Sequence, residues 1–414
     1  MEDTMGKDLG AHALHETSSA QDVTRLLTFL EEQGTFRFPT LANGLFSAAA
    51  GAGAEFEVTG YRHVWVRDNI HIANAHAEWG ETNKAIAAIR SLMAFYLGHQ
   101  HRLTDIISGR VDPTEPMHRP HIRFNGDQLQ ELDEKWSHAQ NDALGAFLWL
   151  SGKLAHECQW SAVELKVLDL MAEYLRTVEF WQDEDSGHWE EVRKVAASSI
   201  GVVTAALNVW GGRFDPNLKE HGQRALASIL PSECIQADPA KSRRYDAALL
   251  FLIYPYRVVS GSMAEQIVRD VTTNLMGEYG VRRYLGDSYW CADYKDKLSA
   301  DVRTADFSDN LSMRDKLLEP GLEAQWCLFD PIISIHYGLR YDQTRDPQDR
   351  QQQLHYLNRS LSQLTSIDSR FGAYRCPESY FCEKGTYVPN DICPLLWTQA
   401  NLKLALTHLV RSLT

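Results

Sequence analysis

Two stretches far apart in the chain set a glutamate beside aromatic rings: His188-Trp189-Glu190-Glu191 and Glu378-Ser379-Tyr380. A carboxylic acid that donates a proton near neutral pH needs a raised pKa. A neighbouring apolar ring disfavours its charged form, and so does a second carboxylate. Trp189 and Glu191 offer both to Glu190. An indole face also suits the apolar face of a sugar ring. A second acid, Glu378, supplies what a two-carboxylate glycosidase requires, one acid for the leaving oxygen and one base for water. Taken singly, each stretch is also compatible with a solvated acidic turn, since glutamates are mostly exposed.

Other polar residues stand at positions where they must find partners. Tyr61 to Asn69 reads YRHVWVRDN. There Arg67 offers a donor fork and Asp68 a two-oxygen acceptor. The pair suits sugar hydroxyls, or equally a structural ion pair with Asp68 at a helix start. Gln140 shares a helical stripe with Leu144, Phe147 and Leu154 and so faces inward. Its partner is either a capping box with Ser137 or a ligand. Arg282-Arg283-Tyr284 opens a long polar segment containing Asp287 and Trp290. Cofactor and metal signatures are lacking: there is no HExxH, no GxGxxG and no phosphate-binding GxxxxGK loop. His118 and His121 have no evident third ligand, and Asp342–Asp349 lacks the glycine and terminal glutamate of a calcium loop. The run Asp183-Glu184-Asp185 permits calcium without arguing for it. No cofactor and no metal are expected.

The 414 residues carry a net charge of -14. An acidic chain is a poor partner for nucleic acid or an anionic membrane, and compatible with a neutral substrate such as a carbohydrate. Seven cysteines without a CxxC pair point to free thiols in the cytoplasm. The N-terminus has no apolar signal region, and no run of about 18 apolar residues occurs.

These residues need a scaffold, and the pattern is helical. Helix-period segments cover 21–33, 69–79, 83–99, 137–156, 161–181, 195–210, 216–228, 243–254, 262–276, 317–337, 348–365 and 394–412. Ser161 and Glu164 form a second capping box, and Pro394 suits a first helical turn. Residues 1–20 read as a flexible tail, and 55–66, with Phe56 and Val58, as an extended approach to Arg67. Two long connections, 103–135 and 285–315, are of the length that tends to carry function. Residues 21–414 form one all-α domain in this reading, a toroid of helical hairpins with its loops forming a pocket at one end.

Together these pieces resemble glycoside hydrolase family 15, the glucoamylase family, and more closely the N-terminal domains of the phosphorylase kinase α and β subunits. The resemblance runs from about Phe36 to Leu409. It rests on WVRDN at 65–69, Trp189-Glu190, ASSIG at 197–201, YGVRRYL at 279–285, and PESY at 377–380 with PLLW at 394–397. It implies an (α/α)6 barrel and an inverting hydrolase that releases glucose from α-glucosides. Glu190 would be the general acid and Glu378 the general base. Arg67 and Asp68 would grip the terminal sugar, Trp136 and Trp189 would line the pocket, and Glu191 and Arg283 would hydrogen-bond the substrate. Glucoamylases commonly carry an aspartate two residues before the motif tryptophan. Gly187 stands there in this chain, and the nearest acid is Asp185. The kinase-subunit likeness implies an alternative: a carbohydrate-sensing regulatory subunit with a protein partner.

Overall fold

The computed structural model describes residues 13–51, 59–239 and 242–414. Twelve helices carry the architecture among the described residues: α1 (Ala20–Glu32), α2 (Val66–Glu78), α3 (Thr82–Gly98), α4 (Asn141–Lys153), α5 (Ala162–Thr177), α6 (Ala197–Trp210), α7 (Pro216–Ile229), α8 (Leu249–Ile253), α9 (Gly261–Asn274), α10 (Phe329–Thr344), α11 (Pro347–Ser362) and α12 (Leu396–Leu413). Two kinds alternate. In α4 every residue from Asn141 to Ser151 is buried, and in α6 every residue from Ala197 to Leu207. A helix buried on all sides belongs inside a larger assembly. In α5 and α9 burial is confined to one stripe, such as Ala264, Ile267, Val268 and Val271. Such a helix covers a core and turns its polar face to water.

Packing follows from this difference. The inner helices α2, α4, α6, α8, α10 and α12 touch in sequence, and α12 closes on α2. Outer helices α3, α5, α7, α9, α11 and α1 back α2, α4, α6, α8, α10 and α12. The result is an (α/α)6 toroid, as expected. Inner-to-outer connections are short. Outer-to-inner connections are long, and each leads into the N-terminus of an inner helix. All of those loops therefore gather at one end.

Two small sheets stiffen that end. β1 (Val64–Trp65), β2 (Arg123–Asn125) and β3 (Gln130–Glu131) pair antiparallel, with Trp65 opposite Arg123. β4 (Gln325–Trp326), β5 (Ser379–Glu383) and β6 (Thr386–Pro389) do likewise, with Trp326 opposite Ser379. The seven cysteines are buried free thiols. No helix among the described residues is long and apolar enough to cross a membrane.

Several local expectations change. Much of the expected tail, His12 included, lies outside the described residues, as do Phe56 and Val58. Leu14 is buried, and its backbone exchanges hydrogen bonds with Asn358 at 2.9 and 2.8 Å, so the end of that segment is packed. Ser19 and Asp22 then cap α1 reciprocally. The Ser161–Glu164 box forms, but the Ser137–Gln140 box does not. Gln140 instead turns its amide oxygen to Arg67. Pro394 precedes α12 rather than sitting in its first turn. The segment expected at 317–337 holds a loop and β4 before α10 starts at Phe329, and only 249–253 of the 243–254 segment is helical. In both cases polar loop residues are buried by side-chain contacts that a periodic pattern does not register.

The inner helices α4 and α6 approach closely at Gly145 of α4. A Cβ there would stand 2.9 Å from the Val203 backbone nitrogen of α6, and a backbone cannot swing aside. Gly145→Ala is expected to lower stability by about 1–3 kcal/mol through overpacking, read as a fall in the thermal midpoint. An unchanged midpoint would show that the two helices are not in close contact.

Candidate active site

At the loop end the inner-helix N-termini surround a cavity of about 130 Å³. All eight residues singled out in the sequence line it: Arg67, Asp68, Trp136, Trp189, Glu190, Glu191, Arg283 and Glu378. They come from the β1–α2 junction and from the loops preceding α4, α6, α10 and α12.

Arg67, in the first turn of α2, is buried and ties three of these segments together. Its Nη1 donates to Asp142 Oδ2 (2.6 Å) and Gln140 Oε1 (3.0 Å), and its Nη2 to Glu190 Oε1 (3.1 Å). Much of its fork is thus engaged by the protein, while its Nε is buried without a partner among the described residues. Burial pushes the Glu190 carboxyl up to about 7 against the pull of Arg67, with Asp68 adding a smaller push upward. Its side chain remains 16% exposed, toward the cavity, and its second oxygen has no protein partner among the described residues. Glu190 follows a 3-10 turn at Gly187–Trp189 and adopts φ +58°. A non-glycine residue in that region is uncommon and marks sites where backbone geometry serves function. Gly187 also takes φ +58°, which explains glycine at that position: an aspartate there would be strained. Nearby Asp185 lies beneath the site. It is buried, pushed up to about 8 by burial, and accepts from the Asn141 backbone at 2.9 Å.

Glu378 leads into β5. Its backbone is held on both sides, donating to Ile392 O (2.9 Å) and accepting from Cys327 N (3.0 Å). The side chain is buried, and both oxygens are occupied. Oε1 accepts from Tyr61 Oη and Oε2 from Asn390 Nδ2, each at 2.6 Å. Burial raises its pKa to about 7, opposed by those two donors and by Arg283. Asp68, the third residue of α2, is raised to about 6 by burial and acts on both glutamates. The three acids therefore share one electrostatic environment.

The walls are aromatic. The Arg283 guanidinium lies 4.8–5.2 Å from the rings of Trp189, Tyr289 and Trp326, while Asp287 takes its Nε and Nη2 at 2.6 and 2.7 Å. Trp136 stands edge-on to Trp65 and under Arg123. Trp189 is anchored through Nε1 to Asp246 (2.8 Å). Glu191 Oε2 accepts from Arg243 and Arg314, whose charges, with that of Lys194, hold it well below the usual carboxylate range. Around this cavity the polar atoms Glu191 Oε1 and the Nε1 of Trp65, Trp136, Trp326 and Trp397 are buried without a partner among the described residues. Buried polar groups normally find partners. A cluster of unmet acceptors and donors beside carboxylates and indoles suits a polyhydroxylated ligand.

Sequence reasoning missed Asn390, Tyr289 and Trp326, and it gave no site role to Tyr61, Asp142, Asp287 or the 304–308 segment. Tyr61 lies within the quoted YRHVWVRDN stretch, but nothing in the pattern links it to Glu378, 317 residues away.

A family model for glycosyl hydrolases family 15 matches residues 33–385. The probable phosphorylase b kinase regulatory subunit alpha of Caenorhabditis elegans is 25% identical over 269 residues, covering 55% of this chain and 21% of that protein. Its Drosophila melanogaster counterpart is 22% identical, covering 82% of this chain and 29% of that protein. The chain thus spans less than a third of these relatives. A solved glycosidase in complex with glucose shares the fold at a TM-score of 0.64 and 17% identity, covering 96% of this chain and 100% of that one.

The raised Glu190 pKa fixes a sign for stability. Its folded pKa lies above that of the unfolded chain, so stability falls as pH rises from about 4.5 to about 7. Glu190→Gln removes that titration. The variant's thermal midpoint is expected to exceed the wild-type value at pH 8, by on the order of 2–3 kcal/mol of stability, and to converge with it near pH 4.5. A constant difference across that range would contradict the raised pKa.

Proposed function

This chain belongs to the glycosyl hydrolases family 15, and from that premise we propose that it is an inverting glycoside hydrolase. It releases glucose from the non-reducing end of α-glucans or small α-glucosides. Glu190 is the general acid and Glu378 the general base. The observation that carries this reading is the difference in how the two carboxyls are held. Glu190 has one oxygen on Arg67 and the other without a partner among the described residues, so it can carry a proton toward a glycosidic oxygen. Glu378 accepts a hydrogen bond on each oxygen, which favours the ionised base.

In this mechanism Glu190 protonates the leaving oxygen as the glycosidic bond breaks. Glu378 takes a proton from a water that attacks the anomeric carbon from the opposite face. Such a water requires the carboxyls roughly 6.5–9.5 Å apart. Asp68 and Glu191 Oε1 accept hydrogen bonds from hydroxyls of the bound sugar, and the Trp136 and Trp189 rings wall it in. Arg67 and Arg283 act mainly through Glu190 and through the aromatic wall. Free thiols support a reducing compartment such as the cytoplasm.

A second reading is a carbohydrate-sensing regulatory subunit. The relatives named as regulatory subunits favour it, and it calls for sugar binding without turnover and for a protein partner.

Incubation with maltose, isomaltose, trehalose, maltodextrins and glycogen, followed by proton NMR, separates the two. β-Glucose is the expected first product. Glu190→Gln and Glu378→Gln are each expected to lower the rate by about 10²–10⁴-fold. Saturable binding with no glucose release from any of them would favour the sensor. Tyr61→Phe removes a donor to ionised Glu378, so the base should protonate at higher pH. The acidic limb of kcat/KM is expected to move upward by on the order of one pH unit. A limb that stays put or moves down would separate Tyr61 from the base.

A further inference from the structure

Residues 303–309 cross the cavity and take no part in the acid–base pair. The segment is pinned along its length. Tyr294 Oη donates to Arg303 O (2.9 Å), Arg303 Nη1 to Asp391 (3.2 Å) and Thr304 Oγ1 to Thr59 O (2.6 Å), and Lys135 pairs with Asp309 at 2.5 Å. From this fixed segment Asp306 lines the cavity. Its Oδ1 accepts from the Ser308 backbone at 2.8 Å. Its Oδ2 is buried and has no protein donor among the described residues. A buried carboxylate oxygen left unpaired is costly, so a donor brought by a ligand is the natural partner.

The charge pattern narrows that ligand. Six carboxyls line the cavity, on Asp68, Glu190, Glu191, Asp287, Asp306 and Glu378, against three guanidiniums, on Arg67, Arg283 and Arg314. Such a lining repels anions. Asp306 also acts electrostatically on Glu190, the residue beside the departing oxygen.

We propose that Asp306 binds the leaving group. Its Oδ2 accepts hydroxyl donors of the sugar that departs, and the site takes neutral polyhydroxylated leaving groups while rejecting sugar phosphates. This rests on the glycosidase reading for the word "leaving", but the binding contact stands without turnover.

The test uses Glu190→Gln protein, which holds substrates without cleaving them. Calorimetric titration with glucose, maltose, isomaltose, trehalose and trehalose 6-phosphate gives the affinity of each disaccharide relative to glucose. Adding Asp306→Ala, and separately Asp306→Asn, is expected to cut that ratio for the preferred disaccharide by about 10–100-fold. The phosphate is expected to bind at least 10-fold more weakly than trehalose. An equal loss for glucose and disaccharide, an unchanged ratio, binding of the phosphate as tight as that of trehalose, or no binding of any sugar would each overturn the proposal. Wild-type turnover, measured in parallel, keeps the two ideas apart. Turnover with an unchanged ratio would sink Asp306 and leave the hydrolase. A reduced ratio without turnover would keep Asp306 and leave the sensor.

Discussion

The structure depends on one buried cation. Arg67 sits at the start of an inner helix and draws Asp142 from the next inner helix and Glu190 from the following loop into one hydrogen-bonded group. Burying charge is expensive unless it is paired and hydrogen-bonded, and removing one member of a buried pair typically costs about 3–5 kcal/mol. Asp142 supplies the permanent counter-charge: it lies below the usual carboxylate range, with Arg67 the largest cause opposing its burial. That arrangement leaves Glu190 as the adjustable partner. Arg67 orients its carboxyl without forcing it to ionise.

The ring of helices makes this possible. Inner helices bury polar residues along their length, and several set an acidic residue in their first turn. Asp68, Asp142 and Asp330 each fall in the first turn of an inner helix. There the unpaired backbone N–H groups and the helix dipole favour negative charge. A toroid in which all inner helices run the same way gathers these ends into one acidic mouth. The short sheets then fix what helices alone cannot: β1 carries the chain into Arg67, and β5 begins at the residue after Glu378.

The two glutamates show how one environment yields two different groups. Burial raises both to about 7. What separates them is hydrogen-bond supply. Glu378 has two donors, one from Tyr61 ahead of β1 and one from Asn390 behind its own hairpin. Glu190 has a single donor among the described residues, and its side chain is partly open to the cavity. A pKa comparison does not distinguish the two carboxyls, and the geometry of their donors does.

By itself the sequence determined the helical class, because buried and half-buried helices differ in composition and period, and those are local properties. It also picked out residues that line the cavity, because Trp189-Glu190, WVRDN and PESY are contiguous. It misread what Ser137 and Pro394 do, and Gln140 turns its amide oxygen to Arg67 in place of a capping box because the two meet only when the ring closes. Only the tertiary structure decided the pairings across hundreds of residues: Tyr61 with Glu378, Arg283 among three rings, Asp306 at the cavity with one oxygen unmet. Such contacts depend on which loops the closed ring brings to the same end, and closure is a property of packing, which no local pattern encodes.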